Sequence, residues 1–371
     1  MKIEFVDLKR QNRLHRKEFL QVIEKIMAAA SFSLGPTLEK FEKAFARFVG
    51  AKYCIGLNSG TDAIEFSLKV HDIGPGDEVI TAPNSYFSTA MVVSKLGAKP
   101  VFADVNPHTY TIDPDQIKKK ITPKTKAIIP IHLYGQPADI DPILAIARKH
   151  RLIVIEDCCQ AHGTKYKGKT VPVSGIGAFS FYPGKNLGGF GDGGALVTNS
   201  RHLATLIKKL RNDGSITKYH HELIGSKSRL DTLQAAVLST KLKYLTQWNK
   251  LRRRHASLYS RLLTQISGVL LPQEAPYSYH NYHLYVIEVP HRDQLQRYLS
   301  KKGISTVIHY PTPIHLQPAY KHLGYKRGDF PITEKTAKRI LSLPMFPELT
   351  DKEIHFVVQH IKQFLAEVRA Q

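Results

Sequence analysis

Two side chains in one stretch are of types that can do chemistry together. Asp157 stands at the end of the apolar run LIVIE, and Lys185 sits in the glycine-rich turn of SFYPGKNLGGFGDGG. A carboxylate that pairs with a pyridinium nitrogen and an amine that forms a Schiff base with an aldehyde cofactor would account for both. Each also has a plainer reading: Asp157 as a helix cap or the partner of a nearby lysine, Lys185 as an exposed turn residue. Ser59, Gly60 and Thr61 open a helix after the strand AKYCIGL. Free N–H groups and a hydroxyl there either bind a phosphate or simply cap the helix. Tyr86, just after DEVITAP, either lies flat on a planar cofactor or packs in the core.

The elements that must position these residues alternate along the chain. LHRKEFLQVIEKIMAAA and PTLEKFEKAFARFVG carry apolar residues three or four apart and predict two N-terminal helices, the second with Pro36 in its first turn and Gly50 at its end. DEVITAP, KPVFADV, KAIIPIHLYG and LIVIEDC read as strands. NSYFSTAMVVSKLG, DPDQIKKKI and DPILAIARKH read as the helices between them. Such alternation predicts a doubly wound, mainly parallel sheet, whose ligands gather at the carboxyl ends of the strands. Ser59–Thr61, Tyr86, Asp157 and Lys185 all fall just after apolar strands, so four separate signals converge on one sheet edge. Beyond residue 200, RHLATLIKKLRNDG and the 230–245 segment predict helices. The remainder reads as a smaller α/β unit with strands at HNYHLYVIEVP and STVIHYP and a closing helix, IHFVVQHIKQFLAEV. The division is expected at 1–245 and 246–371.

Composition bounds the class. The chain has 371 residues, 42% of them hydrophobic and 23% charged, as in an ordinary globular protein. No apolar run is long enough to predict a membrane span, and the charged N-terminus lacks a signal core. The three cysteines, Cys54, Cys158 and Cys159, are too few for a disulfide framework, so the cytoplasm is the expected compartment and Cys158 and Cys159 are read as core. No Cys/His spacing predicts a metal site. The net charge of +22 is concentrated between Arg201 and Arg261, with fourteen Lys/Arg against three Asp/Glu. It reads as a nucleic-acid surface, a solvated basic helix or a field attracting a polyanionic small substrate.

Over nearly its whole length the chain resembles the sugar aminotransferases of the DegT/DnrJ/EryC1/StrS family. The resemblance is carried by NSGTDAIE, GPGDEVITAPNSYFSTA, PIHLYGQPADID, VIEDCCQAHG, FSFYPGKNLGGFGDGGALVTN, SRLDTLQAAVL, HYPTPIHLQPAY and LSLPMFP. It implies the pyridoxal-phosphate-dependent transferase fold of type I: an α/β protein with a mainly parallel, seven-stranded-type central sheet, helices on both faces and a small C-terminal α/β domain. The implied chemistry is transfer of an amino group, from L-glutamate, to a keto sugar on a nucleoside diphosphate, closest to 3-keto-6-deoxyhexoses. The alternatives are a sugar dehydratase of the same family and a nucleic-acid-binding regulator on this fold.

By the same resemblance, Lys185 matches the Schiff-base lysine and Asp157 the acid on the pyridine nitrogen. Gln160 matches the amide near the phenolic oxygen, Tyr86 the stacking aromatic, and Gly60, Thr61 and Ser180 the phosphate binders. His309 and Tyr310 shape the substrate mouth. The family is homodimeric with its site at the interface. Lys227 stands where the family usually has an Asn that reaches the partner's cofactor phosphate, and a cation can make that contact as well. Related dehydratases carry histidine in place of the Schiff-base lysine, so Lys185 favours amino transfer. The implied setting is the supply of amino sugars to lipopolysaccharide, O-antigen or a glycosylated metabolite.

Overall fold

In a computed structural model that describes residues 1–370, the predicted helices at the N-terminus form as α1 (Leu8–Leu14), α2 (Arg16–Ala29) and α3 (Pro36–Val49). α3 starts at Pro36, which needs no N–H partner in the first turn. It ends on Gly50, whose φ of 77° lets its N–H close back on Ala46 and Arg47. Its Leu38, Phe41, Phe45 and Val49 stripe is buried.

The central sheet has strands β1 (Tyr53–Leu57), β2 (Glu78–Thr81), β3 (Lys99–Phe102), β4 (Thr125–Ile129), β5 (Ile153–Val154, continued as Glu156–Asp157), β6 (Ile176–Ser180) and β7 (Gly194–Thr198). The two halves of β5 form one strand, because the Ile155 N–H donates to Ile128 O and the Asp157 N–H to Pro130 O. The order is β3-β2-β4-β5-β6-β7-β1, seven strands of which only β7 runs antiparallel. Helices α4 (Gly60–Lys69), α5 (Ser88–Lys95), α6 (Pro114–Lys118), α7 (Ile140–His150) and α8 (Arg201–Leu210) lie between the strands, and α9 (Thr232–Leu242) packs on α3. β1 is tied down by a buried ion pair. Glu42 accepts from Arg211 and from the Gly56 N–H, and Arg211 also donates to Gly56 O.

A second hydrophobic cluster joins Ile3 to residues between Ala256 and Leu365. It holds α10 (Leu245–Leu263), α11 (Arg292–Lys301), α13 (Asp351–Ala370) and the antiparallel pair β8 (Tyr285–Glu288) and β9 (Ile340–Leu343), while α12 (Pro331–Ala337), just before β9, packs its Ile332 on the first cluster. We propose the boundary between the units at the start of α10. STVIHYP is not a strand. Only Val307 bridges Ser342, after which Pro311 and Pro313 remove the donors a ladder needs. PIHLYG is a strand only in part: past β4 a single bridge from Ile131 to Asp157 keeps it beside β5, and it then closes as a 3-10 turn at Leu133–Gly135.

The run of arginines in α10 is used inside the fold. Arg252 donates to the carbonyls of Tyr282, His283 and Met345. Arg253 pairs with Glu274 and lies over Tyr279, while Arg254 meets Asp351. The densest part of the basic stretch is therefore a set of tethers between α10 and the segments packed on it. No helix among the described residues is long and apolar enough to cross a membrane.

Candidate active site

β1, β2, β5 and β6 all end at one edge of the sheet, and β7 begins there, with Gly194 in register between Leu57 and Ser180. A cavity of about 810 Å3 opens over that edge. Gly60, Thr61, Tyr86, Asp157, Gln160, Ser180, Lys185, His309 and Tyr310 all line it. Nine of the ten residues matched by the family resemblance are thus brought together, with Ser59 beside them. The tenth, Lys227, is exposed on the 212–230 loop and does not line the cavity of its own chain.

At the floor, the Asp157 carboxylate accepts from Thr89 Oγ1 (2.9 Å) and from the Cys159 N–H (3.1 Å). Its backbone is fixed toward β4 by the Asp157 N–H to Pro130 O and the His132 N–H to Asp157 O, and toward β6 by the Cys158 N–H to Ala178 O. Three residues on, Gln160 accepts from the Tyr134 N–H (2.6 Å) and donates to Tyr310 Oη (3.3 Å). Tyr134 Oη in turn donates to His309 O, which ties the turn after β4 to the segment carrying His309 and Tyr310. The exposed Tyr86 ring sits 6.0 Å from that of Tyr310.

The phosphate-type turn is built by crowding. Ser59 caps α4 by accepting from the Asp62 N–H (3.1 Å), and the Gly60 and Thr61 N–H groups find no acceptor among the described residues. A Cβ at Gly60 would fall 2.6 Å from Cys159 Sγ and 2.9 Å from Ser180 Cβ. At Gly194 it would fall 2.2 Å from the Ser59 carbonyl carbon. The turn is therefore pressed onto the strand ends with its free N–H groups beside Ser180, a cradle suited to a small anion at a positive helix end.

Lys185 is half-buried, and burial holds its amine below the usual lysine range, against the opposing pull of Cys159 and Asp157. Burial, then Lys185 itself, pushes His309 down to about 4 and His283 well below its ordinary value, so both imidazoles beside the amine are neutral near pH 7. An amine whose charge is disfavoured by burial, a fixed carboxylate and an anion cradle in one cavity fit an aldehyde cofactor with a ring nitrogen and a phosphate.

Cys158 is core, but Cys159 lies in the turn that follows β5, where its N–H donates to the Asp157 carboxylate, and it lines the cavity. Thr89, Cys159, His283 and the N-terminal Phe5 were not foreseen in the site. The spacing Tyr86–Thr89, one helical turn, was the available signal for Thr89. The one cluster of metal-ligand types among the described residues is His132, Glu156 and Cys158. There the Ala138 N–H donates to His132 Nδ1, so Nε2 carries the proton and donates to Glu156 (2.9 Å). The ring is committed on both nitrogens, and the cluster is a buried brace between the ends of β4 and β5.

A profile of the DegT/DnrJ/EryC1/StrS aminotransferase family matches residues 13–362, and the chain belongs to that family. It is 41% identical to the dTDP-3-amino-3,4,6-trideoxy-alpha-D-glucose transaminase of Streptomyces venezuelae, over 99% of this chain and 97% of that protein. The crystal structure of S. venezuelae DesV in complex with a ketimine intermediate superposes with a TM-score of 0.96, covering 98% of both chains at 41% identity. The chain is also 47% identical to the "Pleiotropic regulatory protein" of Geobacillus stearothermophilus, over 98% of this chain and 99% of that one.

Proposed function

We propose that this chain aminates the 3-keto group of a 6-deoxyhexose carried on a nucleoside diphosphate, with L-glutamate as the donor. The coarser statement is that it is a pyridoxal-phosphate-dependent nucleotide-sugar aminotransferase. The observation that carries the reading is the convergence of Asp157, Lys185 and the Ser59–Thr61 turn on one cavity edge. Bound there, pyridoxal phosphate supplies an aldehyde for amines and a ring that accepts electrons when its nitrogen is protonated.

This chain's residues do the rest. Lys185 Nζ would hold the cofactor covalently between turnovers, and burial, which lowers its pKa, favours the free amine that this requires. Once displaced, the same nitrogen takes the proton from the donor's α-carbon and returns one on the sugar side. Asp157, fixed by its two donors, would hold the proton on the ring nitrogen. The Gly60 and Thr61 N–H groups and Ser180 bind the phosphate, Tyr86 covers the ring, and Gln160 fixes the ring's oxygen side. His309 and Tyr310 shape the entrance for the sugar. The setting is the supply of amino sugars to a lipopolysaccharide, O-antigen or glycosylated metabolite.

The active unit in this reading is a cytoplasmic homodimer, in which Lys227 of one copy reaches the cofactor phosphate of the other. Supporting this, Lys227 is exposed on a loop that also exposes Ile216, Tyr219 and Ile224. Lys227→Ala is expected to weaken cofactor binding about tenfold, the scale of one charge-assisted contact. Equal affinity in titrations of parent and variant would remove Lys227 from the site. Gly194→Ala is expected to cost at least as much, because the new Cβ meets Ser59 backbone that cannot swing aside. Cofactor titration, with thermal unfolding as the control for folding, checks it.

A panel of nucleotide-linked keto sugars incubated with glutamate, with products read by mass spectrometry, tests the whole reading. Formation of 2-oxoglutarate and an aminated sugar is expected. Dehydrated sugar with no 2-oxoglutarate would replace amino transfer by the dehydratase reading.

A further inference from the structure

Helix α9 carries a lysine that amino transfer, as derived above, does not use. Lys241 is only 2% exposed. A lysine buried that deeply needs a partner. Its Nζ donates to Gly188 O at 2.8 Å and sits 5.0 Å from the Phe190 ring centroid and 5.7 Å from that of Phe19. Gly188 lies three residues beyond Lys185. The chain between them folds back on itself, closed by the Lys185 N–H to Tyr182 O and the Gly189 N–H to Phe181 O. A Cβ at Gly188 would fall 2.2 Å from Pro183 O, so this fold has no slack. Two helical turns before Lys241, on the same face of α9, Gln234 Oε1 accepts from the Phe190 N–H at 2.7 Å. α9 thus grips the turn after Lys185 at two points, one of them a buried cation.

We propose that Lys241 is a positioning residue for amino transfer: its ammonium, anchored on the Gly188 carbonyl, fixes the turn that presents Lys185 to the cofactor. The charged form makes both holding contacts, a charge-assisted hydrogen bond and attraction to two aromatic faces. The neutral amine keeps one weaker hydrogen bond and loses the attraction to the rings. Burial lowers the Lys241 pKa to about 8, opposed by the Glu348 carboxylate. The other titratable groups on the packed elements are engaged elsewhere. Glu18 on α2 holds Tyr244 Oη and faces His15 and Lys243, and Lys185 points into the cavity. The grip therefore loosens as pH rises through about 8, while the cradle and Asp157 are untouched. The proposal rests on Lys185 as the cofactor-bearing amine and is independent of which sugar is aminated.

The test compares cofactor-loaded parent, Lys241→Met, Lys241→Gln and Lys241→Arg proteins. The readouts are cofactor affinity, the pH dependence of the bound cofactor's absorption, and the single-turnover rate of its change on adding glutamate. In the parent, the rate should fall through an inflection near pH 8. Lys241→Met and Lys241→Gln should lose that inflection and run about 10- to 100-fold slower, the scale of a misplaced reacting group, with cofactor affinity changed by less than about threefold. Lys241→Arg should recover most of the rate and carry the inflection beyond the assay range. Gln keeps the hydrogen bond without the charge, so it decides the matter if the Met protein does not fold. A Gln or Met protein with parent-like rate and profile, or a parent profile flat across about pH 7 to 9, overturns the proposal. A parent with no cofactor band overturns the reading of Lys185 itself.

Discussion

Lys185→Ala will fold, bind pyridoxal phosphate without the absorption band of the lysine adduct, and lose amino transfer by about a thousandfold or more. The size follows from two roles on one nitrogen. In the proposed reading it is the covalent anchor between turnovers and the group that moves the proton at the donor's α-carbon. The folding expectation follows from its surroundings. Lys185 Nζ makes no side-chain hydrogen bond among the described residues, and burial disfavours its charge, so truncation leaves no stranded partner. Its backbone keeps the turn closed through the Tyr182 carbonyl whatever the side chain. Absorption spectra with and without glutamate, together with thermal unfolding, check all three parts. An unchanged cofactor spectrum would remove Lys185 from its role.

What the sequence made legible was whatever local pattern determines. The strand-end positions of Ser59–Thr61, Tyr86, Asp157 and Lys185 follow from alternation along the chain, and the fold places all of them at one sheet edge. The residues missed are those defined by distant partners. Thr89 matters because it meets a carboxylate on another strand, and Cys159 because it packs on Gly60. Lys241 matters because a carbonyl more than fifty residues earlier needs a donor. No local period encodes such pairs. The basic run Arg252–Arg253–Arg254 shows the converse. Its composition resembled a surface patch, yet Arg252 holds three backbone carbonyls, and each neighbour faces a carboxylate. That tethering weighs against the regulator reading of the basic helix. STVIHYP looked like a strand by β-branched content, but its end is shaped by two prolines and by the need to bring His309 and Tyr310 to the cavity.

Asp157→Asn separates the shape of the site from its charge. Both contacts to the carboxylate come from donors, Thr89 Oγ1 and the Cys159 N–H. The amide oxygen can keep the Cys159 bond, and the Thr89 hydroxyl can rotate to accept from the new NH2 group. Stability should therefore change by no more than about 1–2 kcal/mol, the range of one altered hydrogen bond. Turnover should fall by about 10^2- to 10^4-fold, because a neutral amide cannot hold the proton on the ring nitrogen and the carbanion loses its electron sink. The loss belongs in kcat rather than in KM for the sugar, since in the proposed reading Asp157 meets the ring while the sugar enters past His309 and Tyr310. Steady-state kinetics with glutamate and a keto sugar distinguish the cases. A variant with parent-like kcat means the ring nitrogen needs no carboxylate here. A variant with intact kcat and raised KM means that Asp157 touches substrate instead of the ring. Because Asp157 is held by backbone on both flanks and by Thr89 from α5, its carboxylate cannot follow a displaced ring. In the proposed reading, the same rigidity leaves Gly60, Ser180 and the Lys185 turn to bring the cofactor to it.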